Sequence, residues 1–144
     1  MDKPRILCVD DDRSTITIIS GVLRKEGFEV ETALDGTEGL QKARALKPDL
    51  IVLDIAMPKM DGYEVHRRLR GDPKTAHIGL LLLTAKAGVD KIIDADRPGA
   101  DRQAIGIGAI EFMTKPVKAR ELVERIRAMM RQDSSPLRGS ERHA

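Results

Sequence analysis

Four apolar runs in this chain each end in a polar residue capable of chemistry. Ile6-Leu7-Cys8-Val9 runs into Asp10-Asp11-Asp12, and Leu50-Ile51-Val52-Leu53 into Asp54. Leu80-Leu81-Leu82-Leu83 ends in Thr84, and Phe112-Met113-Thr114 precedes Lys115-Pro116. Such runs read as buried parallel strands, whose carboxyl ends lie on one edge of a sheet and converge there. Taken alone, Asp54 is equally well a helix-capping or loop aspartate. Taken with the other three ends, it becomes the centre of a constellation. Asp10, Asp11 and Asp54 would then stand close enough to raise one another's pKa unless a cation intervenes. A hard divalent ion, Mg²⁺ (or Mn²⁺), answers that need, because it takes carboxylate, carbonyl, water and phosphate oxygens together. Lys115 adds a fixed positive charge and Thr84 a hydroxyl donor. This is a site for a phosphoryl group. Asp54, single and central, is the candidate nucleophile that forms an aspartyl phosphate; Asp10 and Asp11 are the metal acids.

The elements that must position these groups alternate along the chain. Arg5 to Val9 reads as a strand, and Ser14 to Glu26 as a helix with Ile16, Ile19 and Leu23 on one face and Gly27 as its stop. Phe28 to Ala33 alternates as a strand. Asp35-Gly36 caps a second helix over about Thr37 to Leu46, ended by Pro48. Leu50 to Leu53 is the third strand. Asp61-Gly62 opens a third helix with Val65 and Leu69 inward, and Gly71-Asp72-Pro73 breaks it. Ile78 to Leu83 and Ile110 to Met113 are the fourth and fifth strands. Ala119 to Arg131 is a last amphipathic helix with Leu122, Ile126 and Met129 inward. Strict β-α alternation implies a five-stranded parallel sheet covered by helices on both faces, a doubly wound α/β fold. Between Thr84 and the fifth strand, Pro98-Gly99 interrupts a long stretch. It reads as a loop or short helix through Ile92-Ile93, then a helix from about Asp101 to Ile107. The tail from Ser134 has no periodicity.

Composition narrows the function classes. The 144 residues suffice for one domain with its own core, and 41% are apolar. The formal charge is only +2, with both signs mixed along the chain, which gives no footing for direct nucleic-acid binding. Phe28, Tyr63 and Phe112 are the whole aromatic content, too few for base stacking. Cys8 stands alone in a strand pattern, so no disulfide framework exists and the thiol reads as a small core side chain. Met1 to Arg5 runs straight into a strand, with no room for a signal peptide, and no apolar stretch approaches membrane-spanning length. A cytoplasmic location without membrane insertion is the expectation. His66 and His77 lack metal-ligand spacing and read as surface residues, and Tyr63 as packing at the start of the third helix. Asp12 serves as a cap of the first helix.

Together and in this order, Val9-Asp10-Asp11, Leu53-Asp54-Ile55-Ala56-Met57-Pro58-Lys59-Met60-Asp61-Gly62, Leu83-Thr84-Ala85 and Lys115-Pro116 resemble the receiver domain of two-component response regulators, as in the chemotaxis response regulators. The resemblance covers about residues 5 to 131. It implies the flavodoxin-like strand order 2-1-3-4-5, which belongs to the family's known fold and not to the spacing itself. It further implies that Asp54 accepts phosphate from a sensor histidine kinase or histidine phosphotransferase. Asp11 would bind Mg²⁺ directly, Asp10 mainly through water, and the backbone carbonyl of Ala56 would complete the protein ligands. Thr84 and Lys115 would contact the phosphoryl oxygens, and the Lys115-Pro116 bond would be cis. Thr84 and Phe112 would form the switch: Thr84 moves toward the phosphate and Phe112 turns inward. The readout would be a repacked surface offered to a downstream protein, an output domain or a second copy as a homodimer. No organic cofactor is implied, and the chain would catalyse only its own phosphorylation and dephosphorylation. Without its partners, Thr84 reads more readily as a strand-end threonine than as a switch, and plain core packing is the other reading of Phe112.

Residues 1–132 are expected to form the receiver, with an extended segment at about 86–101 before the fourth helix, and 133–144 a flexible tail. That segment is longer than a compact receiver needs. Its extra residues, about Asp90 to Asp101, form either a docking surface or merely a longer loop. On the first helix Ile18 and Val22 form a stripe beside the core stripe, with Val22 exposed or buried. Two other readings stand beside the free receiver. One is a receiver belonging to a longer regulator with a DNA-binding or enzymatic output. The other is a phosphohydrolase of the haloacid dehalogenase type, which would use Asp10 as nucleophile and Asp12 as second acid but leave Asp54 without a role.

Overall fold

The computed structural model of the chain describes residues 3–55, 62–84 and 110–133. Five parallel strands, β1 (Arg5–Val9), β2 (Glu29–Ala33), β3 (Leu50–Asp54), β4 (Gly79–Thr84) and β5 (Ile110–Thr114), form one sheet in the order β2-β1-β3-β4-β5. Among the described residues the helices are α1 (Arg13–Lys25), α2 (Gly36–Leu46), α3 (Gly62–Gly71) and α4 (Ala119–Asp133). The observed bounds differ from the expected ones by a residue or two. At their carboxyl ends β3, β4 and β5 each run one residue further than expected, so the ladder extends through Asp54 and Thr84 themselves, and α4 runs two residues further, to Asp133. The expected helical turns between Ile92 and Ile107, the 86–101 segment, Ala56 and the tail beyond Asp133 lie outside the described residues.

Strand alternation divides the core in two. Ile6 and Cys8 of β1, Leu50 and Val52 of β3, and Leu81 and Leu83 of β4 pack with Ile16, Ile19 and Leu23 of α1 and with Leu122, Ile126 and Met129 of α4. Their immediate neighbours Leu7, Val9, Ile51, Leu53, Leu80 and Leu82 face the other way, onto Ala43 of α2 and Val65 and Leu69 of α3. Both faces are covered, which is why β1, β3 and β4 are continuously apolar. Cys8 is buried as expected, and burial pushes its thiol up to about 12, which keeps it inert at neutral pH.

Local chemistry sets the helix ends. The Asp12 carboxylate accepts from the Ser14 amide at 3.0 Å and the Thr15 hydroxyl at 2.8 Å, so it caps α1 as expected. Asp35 accepts from the Glu38 amide at 2.8 Å, while Glu38 reaches back to the Leu34 amide at 2.9 Å, a reciprocal cap for α2. Gly27 follows α1 at φ +98°, a backbone region open to glycine at little cost. Ile18 is 64% exposed, whereas Val22 is half-buried against the α1–α4 core. His66 was expected at the surface and is buried instead. Spacing that excludes a metal site does not decide burial; His66 lies one residue from Val65 and three from Leu69, on the face that α3 turns inward.

Candidate functional site

Two strand ends, those of β1 and β3, bring the acids together, and the end of β5 adds Lys115. The backbone holds each end: the Asp10 amide donates to the Ala33 carbonyl at 3.1 Å, the Ile55 amide to Leu83 at 2.9 Å, and the Lys115 amide to Thr84 at 2.8 Å. Asp10, Asp54 and Thr84 are each 3% exposed, while Asp11 is exposed. One carboxylate oxygen from each of Asp10, Asp11 and Asp54 lies within 4.8 Å of the others, so a single cation can be held by all three. Lys115 reaches in from β5, its Nζ 3.1 Å from Asp54 Oδ1 and 3.7 Å from Asp10 Oδ2. The Lys115-Pro116 peptide is cis, as the resemblance implies.

The electrostatics show an excess of negative charge. Asp10 is pushed up from 3.8 to about 6, first by burial and then by the charge of Asp54. The Asp12 amide, which donates to Asp10 Oδ1 at 2.9 Å, and the Lys115 ammonium pull the other way without prevailing. Partial burial pulls the Lys115 ammonium down, but its hydrogen bond to Asp54 and the charges of Asp54 and Asp10 outweigh this and raise it. Asp10 Oδ2 is buried without a hydrogen-bond partner among the described residues. One lysine therefore does not satisfy three carboxylates. A buried carboxylate oxygen that only a distant ammonium faces and no hydrogen bond reaches, inside an all-oxygen donor set, fits a hard divalent cation.

Of the residues singled out in the sequence, the structure brings Asp10, Asp11, Asp54 and Lys115 together. Thr84 ends β4, bonded through its backbone carbonyl to Lys115. Phe112, half-buried in β5 opposite Leu82, packs against the core on the α2–α3 side. By strand alternation Thr84 continues the same face of β4 as Leu82, so Thr84 and Phe112 share one side of the sheet. Asp12, the second acid of the hydrolase reading, is spent on capping α1. One residue gained weight only in three dimensions. Gly62, the first residue of α3, donates its amide to the Ile55 carbonyl at 2.7 Å.

A doubly wound parallel α/β domain with an acidic cluster at the carboxyl edge of its sheet is the class that this fold and site define. A family model described as the response regulator receiver domain matches residues 6–127, and the chain belongs to that family. It is 41% identical over 130 residues to the DNA-binding dual master transcriptional regulator RpaA of Synechocystis, covering 90% of this chain and 50% of that protein. It is 39% identical over 138 residues to the alkaline phosphatase synthesis transcriptional regulatory protein PhoP of Bacillus subtilis, covering 95% and 52%. The chain thus spans about half the length of these curated relatives. Among solved structures it resembles the chemotaxis protein CheY4 of Vibrio cholerae at TM-score 0.75 and 30% identity, covering 89% of this chain and 99% of that one. A CheY-like receiver domain protein from Methanospirillum hungatei superposes at TM-score 0.78 and 27% identity, covering 94% and 99%. The chain is a receiver of the two-component type, and the hydrolase reading is set aside. Among the described residues no helix is long and apolar enough to cross a membrane.

Proposed function

We propose that this receiver is a phosphoacceptor, with Asp54 as the residue phosphorylated by a histidine kinase or histidine phosphotransferase. The observation that carries the reading is the Asp54 carboxylate, buried at the end of β3 with the Lys115 ammonium at 3.1 Å and two further acids beside it. An Asp54 oxygen attacks the phosphorus of the donor; the donor's phosphorus–nitrogen bond breaks and the imidazole leaves as the acyl phosphate forms. Lys115 stands where charge grows on the phosphoryl oxygens and holds its proton throughout, since its neighbours keep the ammonium favoured. Asp10, Asp11, Asp54 and the Ala56 carbonyl would hold Mg²⁺ (or Mn²⁺), whose chemistry is to neutralise the carboxylates and the incoming phosphoryl charge. Thr84 and Phe112, on one side of the sheet, serve as the switch. Residues 1–132 act as the receiver unit, and the 86–101 segment is taken as part of its interaction face. The cytoplasm, where soluble phosphate donors and kinase domains are found, is the proposed location.

The output is proposed from length. Relatives of about twice this span, named as DNA-binding regulators, favour a signal passed to an output domain or partner protein over DNA contact by the receiver itself. Intact-mass analysis after incubation with Mg²⁺ and acetyl phosphate tests the chemistry. One phosphoryl adduct that requires Mg²⁺ and is lost in Asp54→Asn is the expected result. An adduct that survives Asp54→Asn and is lost in Asp10→Asn would overturn the assignment.

A further inference from the structure

Gly62 is held closer to β3 than any side chain permits. A Cβ built on it would lie 2.4 Å from the Ile55 Cα, 2.8 Å from the Asp54 carbonyl oxygen and 2.9 Å from Ile55 Cδ1. Two of those three neighbours are backbone atoms, which no rotamer change moves aside. The same glycine donates its amide to the Ile55 carbonyl at 2.7 Å. The first turn of α3 is therefore pressed and bonded onto the residue that follows Asp54. Gly21, by contrast, is exposed in α1 with nothing within 4 Å of its would-be Cβ.

We propose that Gly62 is a positioning residue for the acidic site: its missing side chain sets how far the end of β3, with Asp54, stands from α3 and so tunes cation binding at Asp10, Asp11 and Asp54. The proposal rests on the phosphoacceptor reading of that site. A methyl group at this position must displace either α3 or the Asp54–Ile55 backbone. A carboxylate in a shared cation site is sensitive to such shifts, because removing the support of a ligand commonly weakens metal binding about 10- to 100-fold.

The test compares the wild type, G62A, G21A and the double variant G21A/G62A. Mg²⁺ affinity is read from backbone-amide NMR titration, since the chain has no tryptophan. Urea midpoints are measured in parallel, and G21A serves to return lost stability without touching the site. The expected result is Mg²⁺ binding weakened by about tenfold or more in both G62A and the double variant, unchanged binding in G21A, and a urea midpoint partly restored in the double variant. Wild-type affinity in either glycine-62 variant would overturn the proposal, as would recovery of Mg²⁺ binding in step with stability. A chain unfolded in both backgrounds would assign Gly62 to folding alone and overturn it equally. A wild type that binds no Mg²⁺ would instead sink the phosphoacceptor reading itself, so the two failures are distinguishable.

Discussion

At Asp10 the penalty for burying a charge is set against what the charge is for. The carboxyl is raised from 3.8 to about 6, with burial the main cause and the Asp54 charge the next one that raises it. A folded-state pKa above the unfolded one means that the native protein binds the extra proton between those values. The stability this group contributes is therefore complete below 3.8 and lost as pH rises through about 6. In chelator at pH about 7.5, Asp10→Asn should stabilise the protein by on the order of 1–3 kcal/mol, and the gain should fade toward pH about 4. Urea denaturation at both pH values measures it, and a gain independent of pH would contradict the electrostatic account. At the same scale, Cys8 should resist thiol reagents in the folded state, since burial lifts its pKa to about 12. Rapid labelling without unfolding would argue against its place in the core.

Helices carry two departures from their own preferences. Gly21 sits exposed in the middle of α1 with open space around it, so Gly21→Ala should stabilise the fold by about 0.5–1 kcal/mol through backbone entropy alone. Lys47 closes α2 at φ 49°, in the left-handed region where a side chain is unwelcome. Its amide donates to the Ala43 carbonyl at 3.0 Å, so the turn is a working cap built on the wrong residue. Lys47→Gly should add roughly 0.5–1 kcal/mol, measured as a higher urea midpoint at unchanged slope. A loss of stability there would mean that the lysine side chain does more than the backbone geometry shows. Ion pairs such as Arg5–Glu29 and Arg127–Glu26 are largely solvent-exposed and contribute little to this balance.

For the molecule as a whole, the acidic cluster works against the fold, and a bound cation would relieve it. Asp10 carries the cost of crowding at the sheet edge, and any ligand that binds the native state alone must stabilise the chain. Mg²⁺ at about a hundredfold over its dissociation constant should raise stability by about 2.7 kcal/mol. Chelator should reverse the effect, and Asp10→Asn should lose most of it. Thermal melts with and without Mg²⁺ check this, and curves that coincide in the wild type would count against a cation site.

Much of this was legible in the residues. Period-two alternation and continuous apolar runs place the strands, because a side chain's direction in a strand depends only on its parity. Asp12 and Asp35 announce the helix starts, because capping is a local hydrogen-bond problem. The types and order of Asp10, Asp11, Asp54, Thr84 and Lys115 point to the proposed phosphoacceptor chemistry, since few uses exist for acids at buried strand ends. What the linear chain could not decide is distance. The strand order came from the family likeness, and only the paired sheet brings Lys115 to 3.1 Å from Asp54. Burial of His66 depends on how α3 turns against β3, and the need for glycine at position 62 on how closely the two approach. Both are properties of packing between segments, where non-local contacts set each interatomic gap and local sequence preference has no say.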